Sequence, residues 1–199
     1  MSTAIDRPVE FELPPRERIL HTAHDLFYAE GIRATGIDRV IAESGVTKVT
    51  FYRHFPSKND LILAYLSLRH ERWMGWFTEA LQRHGGPTQG AAALAPALGE
   101  WLRGESLGAF RGCAFLNGVG EMGPALPEVV EITRAHKEAM TAAIAALLPA
   151  SRLRKRQAAA LSVAVDGAIV QAQFSGDPSP ALKSLHWIAE QLTAPTERT

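Results

Sequence analysis

The 199-residue chain balances 21 Lys plus Arg against 21 Asp plus Glu, which excludes a nonspecific polycationic coat and confines any nucleic-acid footprint to a local patch. Its single cysteine excludes an intramolecular disulfide and fits a reducing cytoplasm. The length allows one large or two small domains around a sizeable core. The opening run MSTAIDRPVEFELPP mixes acids with prolines and lacks a basic start or an apolar stretch, so it does not read as a signal peptide. Residues 1–14 are expected to form a disordered arm, and Glu10 and Glu12 within it oppose a phosphate-clamping role. No run approaches the length of a membrane span, so no membrane partner is expected.

A first helix is predicted from Pro15 to Ala29, with Ile19, Leu20, Ala23, Leu26 and Phe27 on its apolar face. His21 and His24 lie three apart on it, expected off the core face, and without a third ligand nearby they imply no metal. Ile37, Val40 and Ile41 then repeat at helical spacing between Gly36, a usable N-cap, and Gly45, a good C-terminal stop. Thr47 caps a further helix that runs to about His54, with Val46, Phe51 and Phe55 as its apolar seam. Two short helices joined by a tight glycine turn make a helix-turn-helix, whose second helix enters the major groove of DNA.

The residues left facing outwards on that helix are Lys48, Val49, Thr50, Tyr52, Arg53 and His54. Lys48 and Arg53 suit phosphates or guanine edges, Thr50 suits a base or a phosphate, and Tyr52 offers a rigid hydroxyl. From Gly45 to Lys58 there are three basic residues, one histidine and no acid. Pro56 closes the reading helix, and Ser57 with Asp60 forms a capping box that opens the next. Lys58 therefore stands at a helix N-terminus, where N–H groups and the helix dipole attract a phosphate. A plain helical corner with a solvated basic face is the competing interpretation, and the ordered set of parts favours the DNA reader. This head spans residues 15–60, and a body of residues 61–199 follows.

The helix opened by Ser57 is predicted to reach about His84, carrying Leu61, Ile62, Tyr65, Leu66, Trp73 and Phe77 on one stripe, and Gly85-Gly86-Pro87 ends it. Alanine-rich helices follow over about Thr88 to Leu102 with a bend at Pro96, Arg111 to Met122, and Pro127 to Leu148. Ser151 is expected to cap a long helix to about Phe174, and Ser179-Pro180 to open a last one that ends near Leu192. No run alternates as a half-buried strand would, so the chain is predicted to be all-α. The last two helices carry Leu161, Val165, Ile169 and Ala172, then Leu185, Ile188 and Leu192. These residues either cover one monomer's core or form half of a four-helix interface with a second copy. The head favours the dimer, because a helix-turn-helix reads few base pairs and works on two-fold half-sites.

Trp73, Trp76, Phe77, Trp101, Phe110, Cys113, Met140 and Phe174 can line an adaptable pocket for a small molecule or fill an ordinary core. Asn117, Glu121, His136 and Gln171 are its candidate polar anchors, or else surface and core partners, with Glu121 and His136 foremost. Cys113 beside Arg111 reads either as a redox sensor or as a buried structural thiol.

The first-helix pattern with Gly31, the segment Thr35-Gly36-Ile37-Asp38-Arg39-Val40-Ile41-Ala42, and the run Gly45 to Lys58 together resemble the tetracycline-repressor-like (TetR/AcrR) transcriptional regulators over roughly residues 16–66. The resemblance implies backbone contacts to DNA from Tyr52 and Lys58, with Thr35, Thr47, Lys48, Thr50 and His54 at the DNA surface. Val49 departs from the pattern, where a small residue is common. It also implies a last pair of helices that dimerises and a cytoplasmic repressor released from a pseudo-palindromic operator by a small-molecule effector. No cofactor and no enzymatic activity are expected. A body that binds a partner protein, or a cysteine-dependent enzyme using Cys113 with His136, are the alternatives from other classes.

Overall fold

The computed structural model describes residues 13–107 and 109–194, and every regular element among them is helical. All but the last two residues of the expected N-terminal arm lie outside the described residues. Helices α1 (Pro15–Glu30), α2 (Ile37–Ser44) and α3 (Lys48–His54) form the head. They meet through Ile19, Ala23, Phe27, Val40, Phe51 and Phe55, all buried in one continuous core. The Thr47 hydroxyl accepts the backbone N–H of Thr50 at 3.1 Å and so satisfies one of the free donors that open α3.

Helix α4 (Lys58–Arg83) joins the head to the body without a linker. The Ser57 side chain accepts the Asp60 N–H at 3.2 Å and donates its hydroxyl to the Asp60 carboxylate at 2.6 Å. Leu61, Ile62, Tyr65 and Leu66 bury the first half of α4, where Tyr65 meets the Phe27 ring edge-on at 5.5 Å. Trp73, Phe77, Ala80 and Leu81 bury the second half, where α4 packs on α6 and α8.

The body comprises α5 (Gly86–Gln89), a 3-10 turn (Gly90–Ala93), α6 (Leu94–Leu102), α7 (Ala114–Met122), α8 (Glu128–Leu147), α9 (Arg154–Ser175) and α10 (Ser179–Thr193). Three expectations change here. The break falls at the 3-10 turn and not at Pro96, because Pro96 sits in the first turn of α6, where no intrahelical N–H is needed. Helix α7 starts three residues later than expected, since Gly112 adopts φ 86°, which a right-handed helix cannot include. Ser151 does not cap α9 through its side chain; a turn intervenes, and its carbonyl accepts the Arg154 N–H at 3.3 Å.

Helix α9 lies between α8 and α10. Lys137 pairs with Asp166 at 2.5 Å, and Thr141 donates to the Ser162 hydroxyl at 2.8 Å, which ties α8 to α9. Gln157 donates to the Leu192 carbonyl at 2.6 Å and holds the end of α10. Contrary to the reading of the sequence, α9 is long and apolar enough to cross a membrane, with a mean hydropathy of 1.2 over an 18-residue window. Its packing against two neighbouring helices accounts for part of that composition, since 39% of the window is buried. Leu161, Val165, Ile169, Ala172 and Leu185, assigned to a dimer seam, are instead buried in the monomer's own core, and Ile188 and Leu192 are half-buried. The correction has a simple cause: both faces of α9 are apolar, so periodicity could not say which face points inwards.

Head and body are also locked together away from α4. The Tyr28 hydroxyl of α1 donates to the Gly112 carbonyl at 3.0 Å and accepts the Arg111 N–H at 2.9 Å. At the other end of α7, the Glu121 carboxylate accepts the Arg33 N–H at 2.8 Å, while the Arg33 side chain donates to the Glu121 carbonyl at 2.6 Å. Gly31 makes room for this: at φ 99°, an added Cβ would lie 3.3 Å from both Glu121 carboxylate oxygens. Tyr28→Phe should therefore cost about 1–3 kcal/mol of stability, because a buried carbonyl and a part-buried N–H lose their partner. Urea denaturation measures it, and a variant as stable as the wild type removes the hydroxyl from the junction.

Candidate functional site

One face of α3 carries the chemistry expected of a reading helix. Phe51 and Phe55 face the core, while Val49 is 72% exposed and Tyr52 42% exposed. Tyr52 stands edge-on to Phe51 with ring centroids 5.2 Å apart, so a buried ring fixes the direction of an exposed one. Lys48 and Arg53 are exposed, and Thr50 and His54 are half-buried. The Thr47 and Thr50 hydroxyls lie 2.9 Å apart and form one polar spot at the start of the helix. Lys48 reaches Asp38 at only 3.4 Å with both groups well exposed, a pairing of little strength in water.

Lys58 is half-buried, and its ammonium donates to the Thr35 carbonyl at 2.7 Å. Burial pulls its pKa below the usual lysine value. The contact fixes the start of α4 against the turn before α2. Thr35 itself is fully buried and donates its hydroxyl to the Gly31 carbonyl at 2.9 Å. Its side chain is therefore no surface group, and the expectation that placed it at a DNA surface is corrected: what it presents is a carbonyl that holds Lys58. Arg39, by contrast, is spent on Glu30 and on Glu43, tying α2 to the end of α1.

The body holds an aromatic cluster that joins several of the expected pocket residues. Trp73 stacks on Phe77 at 4.6 Å and meets Trp101 edge-on at 5.8 Å, and Trp101 meets Phe110 at 5.1 Å. His136 stacks on Phe115 at 3.7 Å and shares a hydrogen bond with His70 at 3.1 Å between their Nδ1 atoms. Trp73, Trp101, Cys113 and His136 line a crevice with about 220 Å³ of empty space, together with Arg69, Phe115, Lys137 and Ile169. Its free cavity volume is only about 10 Å³, room for about one water, against roughly 300–1,000 Å³ for a drug-sized ligand, so the walls stand closed together.

The other nominated residues lie elsewhere. Asn117 and Glu121 line a second crevice beside Tyr28 and Arg111, where the Glu121 carboxylate also accepts the Arg33 N–H at the head–body junction. Phe174 is 77% exposed and Gln171 is exposed, so neither lines the first crevice. Trp76, Phe77 and Met140 are packing residues of the core. Cys113 is buried, with the Lys137 ammonium 3.6 Å from its sulfur. His24 is also buried, against the expectation, with its ring edge-on to Tyr65 at 5.7 Å and its Nδ1 2.9 Å from Asp25. No cluster of three metal-ligating side chains occurs among the described residues. Sequence reasoning missed Arg69, although the spacing Tyr65-Arg69-Trp73 sets it on the apolar stripe of α4, a signal available from helical periodicity alone.

Residues 19–65 match the family model described as bacterial regulatory proteins, tetR family. Among solved structures, a TetR-family transcriptional regulator from Streptomyces coelicolor is 33% identical, with 90% of this chain and 94% of that one covered and a TM-score of 0.75. A TetR transcriptional regulator from Chloroflexus aurantiacus is 25% identical over 90% of this chain and 94% of that one, also with a TM-score of 0.75. Of curated proteins, the HTH-type transcriptional regulator YxaF of Bacillus subtilis is 48% identical over 45 residues, which cover 23% of this chain and 24% of that protein. The HTH-type transcriptional activator FasR of Mycolicibacterium smegmatis is 29% identical over 93 residues, 47% of this chain and 42% of that protein. The chain thus matches less than half the length of these two curated relatives.

Burial of the two histidines carries a pH signature. Desolvation, helped by the nearby Lys137, His70 and Arg69 charges, lowers the His136 pKa from 6.5 to about 2, and burial lowers that of His24 as well. His136 stays neutral in the folded protein while the unfolded chain takes up protons near pH 6.5, so its contribution to stability is full above that pH and falls below it, and the lowered pKa of His24 acts in the same direction. His136→Phe keeps a ring on Phe115 and removes one of these protons. Between pH 6 and pH 5 its stability should fall less steeply than that of the wild type, by about 1 kcal/mol per pH unit. Urea titrations at both pH values decide this, and parallel losses would count against a buried neutral His136.

Proposed function

Because the chain belongs to the TetR family of transcriptional regulators, we propose that it binds a pseudo-palindromic operator as a homodimer and represses until a small-molecule effector releases it. The observation that carries this reading is the exposed face of α3, where Lys48, Val49, Tyr52 and Arg53 project from a helix anchored by Phe51 and Phe55. In this reading Tyr52, Lys58 and the Thr47–Thr50 pair grip the backbone and register the helix. Lys48, Val49, Arg53 and His54 meet the groove, and Val49 suits a thymine methyl. Selection from a random duplex pool tests the function directly. It should return an inverted repeat with half-sites about 34–36 Å apart or a multiple of that, and recovery of duplexes with no shared repeat defeats the proposal.

On such an operator, Lys58→Ala should weaken all duplexes alike and reduce the slope of log affinity against log salt by about 0.9 per monomer. Because Lys58 also holds the Thr35 carbonyl, the measurement is paired with a thermal melt. An unchanged salt slope in a folded variant takes Lys58 out of the phosphate contacts.

The dimer surface in this reading is the outer face of α9 and α10. Val163, Val170 and Phe174 recur on one side of α9 with Gly167 among them, and Trp187 projects from α10. Val163 is 73%, Phe174 77% and Trp187 61% exposed, a concentration of large apolar groups that a lone soluble domain avoids. A second copy covers them best, because two-fold pairing of such helix pairs makes a four-helix interface. Phe174→Asp with Trp187→Glu should halve the mass seen by light scattering and leave the melting temperature of the subunit intact. Ile169→Asp, which charges the core, should unfold it. A wild-type monomer at micromolar concentration overturns the interface.

A further inference from the structure

The body crevice contains a buried cation with no acidic partner among the described residues. Arg69 is 2% exposed, and its Nη2 finds no acceptor among the described residues. No Asp or Glu among those residues pairs with it; Lys137, which also lines the crevice, has Asp166 as its own partner. The guanidinium lies 4.2 Å over the Tyr28 ring and 6.0 Å from the Trp101 ring. These faces offer it some compensation, and the Tyr28 hydroxyl is a hydrogen-bond partner of the guanidinium, which leaves Nη2 alone without an acceptor. Trp101 lines the same crevice, and its Nε1–H also lacks an acceptor. Two buried donors, one of them charged, thus border a narrow crevice walled also by Trp73, Phe115 and Ile169.

Buried charges are normally paired, and a guanidinium presents a planar fork matched to two oxygens. We propose that the crevice binds a small apolar carboxylate, with its oxygens on Arg69 and the Trp101 N–H and its body against Trp73 and Phe115. The neutral His136 beside Arg69 adds no competing charge; the free space is only about 10 Å³, so a guest with a single ring and a short acidic arm enters only as Trp73 and Phe115 move apart. A cation would meet Arg69 head-on, and a neutral guest of the same shape would leave the guanidinium unpaired. The assignment rests on the reading of the body as an effector site and names the chemical class of the effector. It also places the acid next to Cys113 and Ala114, directly after the Gly112 carbonyl that anchors Tyr28 of the head.

The test uses phenylacetate and hexanoate against phenylacetamide and hexanamide, each titrated into the full-length protein while tryptophan fluorescence is followed. At least one acid should give saturable quenching, because Trp73 and Trp101 wall the site, and its amide should bind at least tenfold more weakly. Arg69→Met removes an unpaired buried charge at similar volume, so it should fold at least as stably as the wild type and lose the acid-over-amide preference. Trp101→Phe, which keeps the aromatic wall and loses the donor, should weaken the acid by several fold and leave the amide unchanged. Equal binding of acid and amide, no saturable binding of either acid, or an unaltered preference in both variants overturns the proposal. Operator affinity is measured separately with the same acids. Acid binding without loss of operator affinity supports the site and defeats the effector reading above. Linked release must be matched by an equal weakening of acid binding when operator is saturating.

Discussion

Helix α4 is the constraint on which the other elements depend. Twenty-six residues at 1.5 Å each give a rod of about 39 Å. One end is packed on α1 through Leu61, Ile62 and Tyr65, and the other is packed into the body through Trp73 and Phe77. Neither packing site can shift without shear in the other, because buried side chains interdigitate at crystal-like density. The position of the reading helix is therefore set from the body, and the same rod carries Arg69 into the crevice midway along its length.

Helix α7 supplies a second connection. Its N-terminal approach, Arg111 and Gly112, holds the Tyr28 hydroxyl, and its C-terminal turn, Glu121, holds the loop at Arg33. Both anchors grip the two ends of a short head segment that begins with Tyr28 and includes Gly31. Between them α7 passes the crevice at Ala114 and Phe115. The head is thus tied to the body through two elements, α4 and α7, which hold it more tightly than α4 alone.

Helix α9 shows how one composition serves two purposes. Leu161, Val165 and Ile169 fill the interior, while Val163, Val170 and Phe174 face outwards on the same helix. An apolar residue gains by leaving water on either side, so burial in the monomer and burial against a second copy draw on the same driving force. The polar ties Lys137–Asp166 and Thr141–Ser162 hold α9 in one rotation, and that rotation decides which side remains outside.

The sequence by itself determined the head and the helical class. Gly36 and Gly45 bounding α2, the Thr47 cap and the Ser57–Asp60 start of α4 all act within a few residues, so local chemistry was enough to place them. The seam of Phe51 and Phe55 likewise follows from periodicity along one short helix. Only the tertiary structure decided what lies between distant segments. It put Thr35 inside and Lys58 on its carbonyl, moved Glu121 from a ligand anchor to the junction, and turned the interior side of α9 into core. It also surrounded Arg69 with aromatic walls from α4, α6 and α7 without giving it an acid. The reason is physical: a cap or a helical stripe is fixed by neighbours three or four residues away. The partner of a buried charge, or the inward side of a helix with apolar residues on both faces, depends on elements tens of residues distant that meet only when the core closes.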